Sequence, residues 1–295
     1  ISSDNERTKY KFLLEQYGYE KSDLSEIPKF TQNMIFYPTN KIRFYVNKEN
    51  VLNSGVVKKE NENLIVDYID IDLPESGLYK NQILMLDILS KNDWERPIYF
   101  TGGSYKDSEY LWMKNYLQLD GLVYKLVPIE TPVNPENPYQ MGRIDANTMY
   151  EIVKKWKWGN SESDKIYHDP ETRKNSITFR SNLHRLAEKF ISLGDNSKAL
   201  EILDLSFEKL PIEYFGYYSL SEPYINSYYK IGEKEKSKNL FKKIEEKYHE
   251  QIYYYSNSMM LNSNKFNLEK HAENIFTYNE RLRGLLENQI NMEKK

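Results

Sequence analysis

Asp70-Ile71-Asp72, with Asp67 just upstream, is the segment whose residue types come closest to a reaction centre. Two carboxylates in Asp-x-Asp spacing suit a hard divalent cation, which is how nucleotide-sugar transferases use such a pair. The match is only three positions long, and a solvated strand end carries the same residues. A metal-dependent transferase or hydrolase using Asp70 and Asp72 is therefore the alternative reading. Asp87, Asp93, Glu95 and Arg96 cluster around Trp94, where local salt bridges and hydrogen bonds locking a turn are expected. Thr101-Gly102-Gly103-Ser104 offers a backbone nest for an anion, but it lacks the Gly-Lys-Ser/Thr ending of a phosphate loop. It reads as a strand-to-helix turn needing positive φ. His168, His184, His249 and His271 form no zinc spacing. There is no cysteine, no Gly-x-Ser-x-Gly elbow and no kinase set. No catalytic residue is assigned, and no cofactor is expected.

Aromatic residues supply the more plausible binding chemistry. Trp156 and Trp158, two apart, would face different directions on a helix, one packed and one accessible. Tyr217, Tyr218, Tyr228 and Tyr229, with Tyr253-Tyr254-Tyr255, place some rings outward whichever helix face is buried. Exposed Tyr and Trp pair a flat apolar face with a polar tip, suited to a peptide or a sugar. Packing between helices is the competing role for the same rings.

The elements that must carry these groups follow from periodicity. Residues 3–17 read as a helix, with Tyr10, Leu13, Leu14 and Tyr17 on one face and Gly18 as the stop. Ile42, Phe44 and Val46 alternate with Arg43, Tyr45 and Asn47, predicting a half-buried strand. Val51–Val57 and Leu64–Ile71 extend the β reading, with Asn53-Ser54-Gly55 as turn chemistry. A helix is expected over 80–90, strands over 97–101 and 122–128, and a short helix near 107–117. Thr131-Pro132-Val133-Asn134-Pro135-Glu136-Asn137-Pro138 is a proline-rich boundary. Beyond it Asp145 can cap a helix running through Trp156, and no convincing strand remains. The expected organisation is an α+β domain over 1–130, a linker over 131–142 and an all-α domain over 143–295.

The second half repeats itself. Leu186-Ala187, Phe190, Gly194-Asp195, Ala199, Leu203 and Ser206 recur, shifted by 38 positions, as Tyr224, Ile225, Tyr228, Gly232-Glu233, Ser237, Phe241 and Ile244, while Pro211 ends the first copy and has no counterpart in the second. A helix pair with a Gly turn, a small residue five positions later and an apolar ladder resembles the tetratricopeptide repeat. The predicted hairpins span 180–211 and 219–250. That repeat has a period of about 34 residues, so the surplus is placed around Ile212–Phe215. Stacked hairpins of this kind bind peptides or proteins on their concave face.

Trp94-Glu95-Arg96-Pro97-Ile98-Tyr99-Phe100, followed by Asn115-Tyr116-Leu117-Gln118-Leu119-Asp120-Gly121-Leu122-Val123-Tyr124-Lys125-Leu126-Val127-Pro128, carries a second resemblance. It is similar to the C-terminal region of bacterial, Bacteroidetes-type multi-pass membrane proteins of unknown function. These are related to protein O-mannosyltransferase-like membrane enzymes. The resemblance implies an extracytoplasmic (periplasmic) region of a longer chain whose membrane spans lie upstream, and a start at Ile1 fits an excised piece. It carries no catalytic acid onto any position here, so the enzyme question stays with the parent chain.

Composition agrees. A formal charge of −3 gives no electrostatic case for nucleic acid. No apolar run reaches the roughly eighteen residues that a span needs; the longest, Ile83 to Leu89, is broken by Asp87. The expected partner is a protein or peptide, or else a glycan.

Overall fold

The computed structural model describes residues 40–74, 77–103, 106–137, 140–261 and 265–294. The helix expected at 3–17 lies outside them. The chain divides into two compact units, one running to Gln118 and including Tyr124–Arg143, the other holding Leu119–Val123 and everything from Ile144.

The first unit is the α+β part. β1 (Lys41–Tyr45) pairs antiparallel with β2 (Tyr68–Asp72) in a register that sets Arg43 opposite Asp70 and Lys41 opposite Asp72. Between them Val51–Val57 is not a strand. Asn47 accepts from the Asn50 amide and caps a short helix, α1 (Lys48–Asn53). A 3-10 turn over Lys59–Leu64 follows. An Asx cap outweighs the β-branched content of that stretch. α1 drops Val51 into a cluster with Val56, Val57, Ile65, Val127 and Ile129, all buried.

α2 (Lys80–Asn92) and β3 (Tyr99–Thr101) come where expected. The helix foreseen near 107–117 is two 3-10 turns, Asp107–Tyr110 and Lys114–Tyr116, separated by Leu111 and Trp112 at positive φ. β4 (Leu117–Asp120) was not foreseen. It joins β5 (Val123–Leu126) through a two-residue turn at Gly121-Leu122, and the sheet order is β3-β5-β4. Gly at the first of the two turn positions is a hairpin signal, so Gly121 closes one strand and opens the next. Residues 131–137 are tied back, with the Thr131 and Val133 amides donating to Asn115 at 2.6 and 3.2 Å.

The second unit is helical beyond its short β-turn. Asp145 caps α3 (Ala146–Lys154) by accepting from the Thr148 amide at 2.9 Å. Asp169, with Pro170 at the first turn, starts α4 (Pro170–Ser192). α4 pairs with α5 (Asn196–Lys209), and α7 (Glu222–Lys230) with α8 (Lys234–Leu261), across turns in which Gly194 and Gly232 take φ of 78° and 90°. The small residues lie where close packing needs them: Ala199, Ser206 and Ser237 are fully buried. Pro211 heads a short extra helix, α6 (Ile212–Phe215), between the two helical pairs. A last helix, α9 (Lys265–Glu293), packs along α8. Among the described residues no helix is long and apolar enough to cross a membrane.

Candidate functional site

A cavity of about 220 Å³ opens in the first unit between β1, the end of α2 and the turn from Asp93 to Ile98. Its floor is apolar, from Phe44, Ile69, Leu89 and Ile98, and its rim is polar, from Ser90, Asn92, Asp93 and Arg96. Two consecutive residues on the rim, Asp93 and Trp94, hold φ of 40° and 63°. For a bulky L residue that region is strained and persists only where neighbours over-determine it. They do so here. The Asp93 carboxylate accepts from the Asn47 and Asn50 side-chain amides at 2.8 and 3.0 Å, and the Asn50 amide also reaches the Asp93 carbonyl. The Trp94 indole donates to the Tyr45 carbonyl at 3.2 Å, and Asn92 donates to the Arg96 carbonyl at 2.8 Å.

Of the salt bridges and hydrogen bonds expected to lock the turn at Trp94, hydrogen bonds from side-chain N–H groups hold it. Asp87 is paired elsewhere, with Lys91. Pro97 puts the chain into extended geometry ahead of β3. Arg96 is exposed, lines the cavity, and has no side-chain hydrogen bond or ion pair among the described residues.

Asp70 and Asp72 stand on the neighbouring strand, each beside a cation. Arg43 grips Asp70 with two bonds of 2.7 Å, and this pairing holds the carboxyl below its usual range. Lys41 lies 3.9 Å from Asp72, and Lys48 2.7 Å from Asp67. Register explains the pattern, since residues directly opposite on an antiparallel pair meet. Arg43 also lies over the Tyr68 ring, 3.6 Å from its centre. No group of three or more metal-type ligands is found among the described residues.

In the second unit the tryptophans meet each other. α3 ends at Lys154, so the helical phase that would separate them does not reach Trp156. Trp156, Trp158 and Phe179 form a cluster with ring centres 5.2 to 5.5 Å apart. Asn182 donates to the Gly121 carbonyl at 2.8 Å beside it.

The tyrosines are largely absorbed into packing. Tyr228 is buried and donates to Asp204 at 3.0 Å. Tyr229 donates to the Met292 carbonyl at 2.5 Å, and Tyr218 meets the Tyr248 ring edge-on. Tyr217, at positive φ, is 37% exposed.

Two polar centres were missed. Arg180 is wholly buried without a carboxylate. It donates to the Leu210 and Gly216 carbonyls and to the Ser221 hydroxyl, pinning both ends of α6. A cation flanked by Phe179 and Ser181 read as an ordinary helix position; only its place at the start of the apolar ladder hinted otherwise. The second centre joins α4 to α7. His184 Nε2 is 2.9 Å from Ser227 Oγ, which donates to Glu188 at 2.6 Å, and Lys230 donates to Glu188 at 2.8 Å. This is no nucleophilic triad, because the serine is fully buried and its proton goes to the carboxylate. Burial pulls the His184 pKa down, against the Glu188 charge.

The chain is thus an α+β unit with a small half-polar cavity, followed by a unit of helical hairpins. The family model for TMEM260-associated domain 2 matches residues 1–148, and the chain belongs to that family. The match fits a domain of a TMEM260-like membrane protein. No curated protein and no solved structure shows a significant match.

Proposed function

We propose that this chain is a non-catalytic, extracytoplasmic (periplasmic) region of a multi-pass membrane protein resembling O-mannosyltransferase-like glycosyltransferases, and that it binds the acceptor, a peptide or its glycan. The observation that carries this is the cavity at the Asp93–Trp94 turn. Its mixed walls suit a ring or side chain with one apolar face and several hydroxyl or amide groups. Arg96 contributes a fork of donors not consumed within the described fold. Over-determined strain in the rim preorganises the site, which lowers the ordering cost of binding.

The helical hairpins add a surface for a protein or peptide, with the exposed Tyr217 on the segment between them. Sugar transfer itself would rest with other parts of the parent chain. Asp70 and Asp72, held by Arg43 and Lys41, do not favour the metal-dependent alternative.

The test is titration of the isotope-labelled chain with a panel of monosaccharides, oligosaccharides and short peptides, followed by amide resonances. Shifts should centre on residues 92–98, and Arg96→Ala should weaken binding roughly tenfold or more, the value of a charge-assisted bond. If nothing shifts those resonances, and deleting the region leaves the parent protein's activity unchanged, the reading fails.

A further inference from the structure

A second cavity, of about 380 Å³, opens in the helical unit beside the loop that leads into α4. Asp164, Lys165, Ile166, Tyr167, His168 and Tyr214 line it. The chain around it fixes its place. The Ser161 hydroxyl donates to the Lys209 carbonyl at 2.6 Å, and Lys209 pairs with Glu162 at 2.9 Å, tying the loop to the end of α5. Asp169 then caps α4. Between these anchors the His168 ring lies on α6, stacked on Tyr214 with centres 5.9 Å apart and set against Phe215 at 4.7 Å. Those ring contacts use no nitrogen. His168 is only 9% exposed, yet neither Nδ1 nor Nε2 has a hydrogen-bond partner among the described residues. A neutral imidazole carries one donor and one acceptor, and leaving both unmet beneath the surface costs stability. An apolar ring of the same shape would pack there at no such cost.

We propose that this cavity is a saccharide-binding site, with His168 as its buried polar contact and Tyr167 as its stacking face. The nitrogens decide the chemistry. A hydroxyl donates and accepts at once, so a ring bearing several of them can meet both nitrogens in either tautomer. A metal ion would take one nitrogen and leave the other in need of a second partner, and no group of three metal-type ligands is found among the described residues. A phosphate would meet the Asp164 carboxylate and leave the imidazole lone pair unmet. The walls agree. Tyr167, 82% exposed, offers a flat face to the C–H side of a sugar ring. Asp164 and Lys165 add an acceptor and a donor of opposite charge, which favours a neutral ligand. The volume falls within the roughly 300–1,000 Å³ of small-molecule sites. The nitrogens are shielded from solvent as the cavity stands, so a ligand reaches them by turning aside the rim at Ile166, itself 40% exposed. Every residue of the site belongs to the helical unit, so it does not depend on the cavity at Trp94.

The experiment is titration of the full chain, isotope-labelled at its histidine rings, with methyl glycosides of glucose, galactose, mannose and N-acetylglucosamine, beside short peptides and zinc. At least one glycoside should shift both His168 nitrogen resonances and hold a single tautomer. His168→Phe keeps the stack on Tyr214; it should weaken binding roughly tenfold or more, and melt at a higher temperature without ligand. Tyr167→Ala, at an exposed position, should weaken binding roughly tenfold and leave the melting curve unchanged. Arg96→Ala should bind like the wild type, which separates this site from the one at Trp94. The proposal is overturned if no glycoside moves the His168 resonances, if only a peptide or zinc does, or if His168→Phe binds equally. A lower melting temperature for that variant would show the nitrogens already satisfied, and would overturn it too.

Discussion

Gly121 and Trp156 touch: the indole Cζ2 stands 3.0 Å from where a Cβ on Gly121 would be, and Gly121 holds φ of 73°. Both residues stand out in the sequence, one as the start of a strand and one as a binding ring, and the fold joins them. Any side chain at 121 must push the ring away and also adopt a backbone that L residues resist. Gly121→Ala should cost about 1–3 kcal/mol, read by denaturant unfolding. A loss within about 0.5 kcal/mol, the range of neutral surface changes, would show that the turn has room to relax.

Arg180 predicts a larger effect. Its removal leaves the Leu210 and Gly216 carbonyls and the Ser221 hydroxyl without their donor. Arg180→Ala should cost about 3–5 kcal/mol, since unpaired buried acceptors and a cavity add. Arg180→Met keeps much of the volume and should recover part of that. Amide exchange should quicken first over 210–221, and uniform quickening would speak against a local pin.

His184 sets a pH dependence. Its folded pKa lies below the ordinary value of about 6.5 because burial penalises the cation, although Glu188 opposes this. The unfolded chain therefore binds the proton more readily. The stability that this neutral ring contributes is complete above the unfolded pKa and drains away as pH falls through and below it. His184→Gln keeps a hydrogen-bonding group opposite Ser227 without titrating. The stability gap between wild type and H184Q should narrow from pH 7.5 toward pH 5 by about 1.4 kcal/mol for each unit of depression. A gap constant with pH would mean that the ring does not sense protons.

The Asp-x-Asp strand yields a negative test. With Asp70 held by Arg43 and Asp72 beside Lys41, manganese or calcium should give no heat and no melting shift. Arg43→Ala then frees Asp70, so a weak metal response appearing only in that variant would show that the cation is what blocks the site. A response in the wild type would revive the metal-dependent reading.

What the sequence made legible tracks where local signals agree. Ala199, Gly194 and Gly232 announce the helical pairs, because a small residue and a left-handed turn are demanded at fixed offsets. The β1–β2 ladder is legible at Ile42, Phe44 and Val46 through simple alternation. Val51–Val57 was misread because β-branched content hid the Asn47 cap, and β4 because Gly121 was taken as a start rather than a corner. Candidate sites were less legible still. The Arg43–Asp70 grip depends on register, and the Trp156–Trp158–Phe179 cluster on a helix ending two residues earlier than its pattern implied. The strain at Asp93 and Trp94 had no sequence mark beyond the residues themselves, since the amides that impose it come from Asn47 and Asn50.

Arg180 finds its acceptors 30, 36 and 41 residues further along the chain. During synthesis the first helical pair therefore leaves the ribosome with a bare guanidinium facing its own core. That pair waits for Ser221 to emerge before it can close dry.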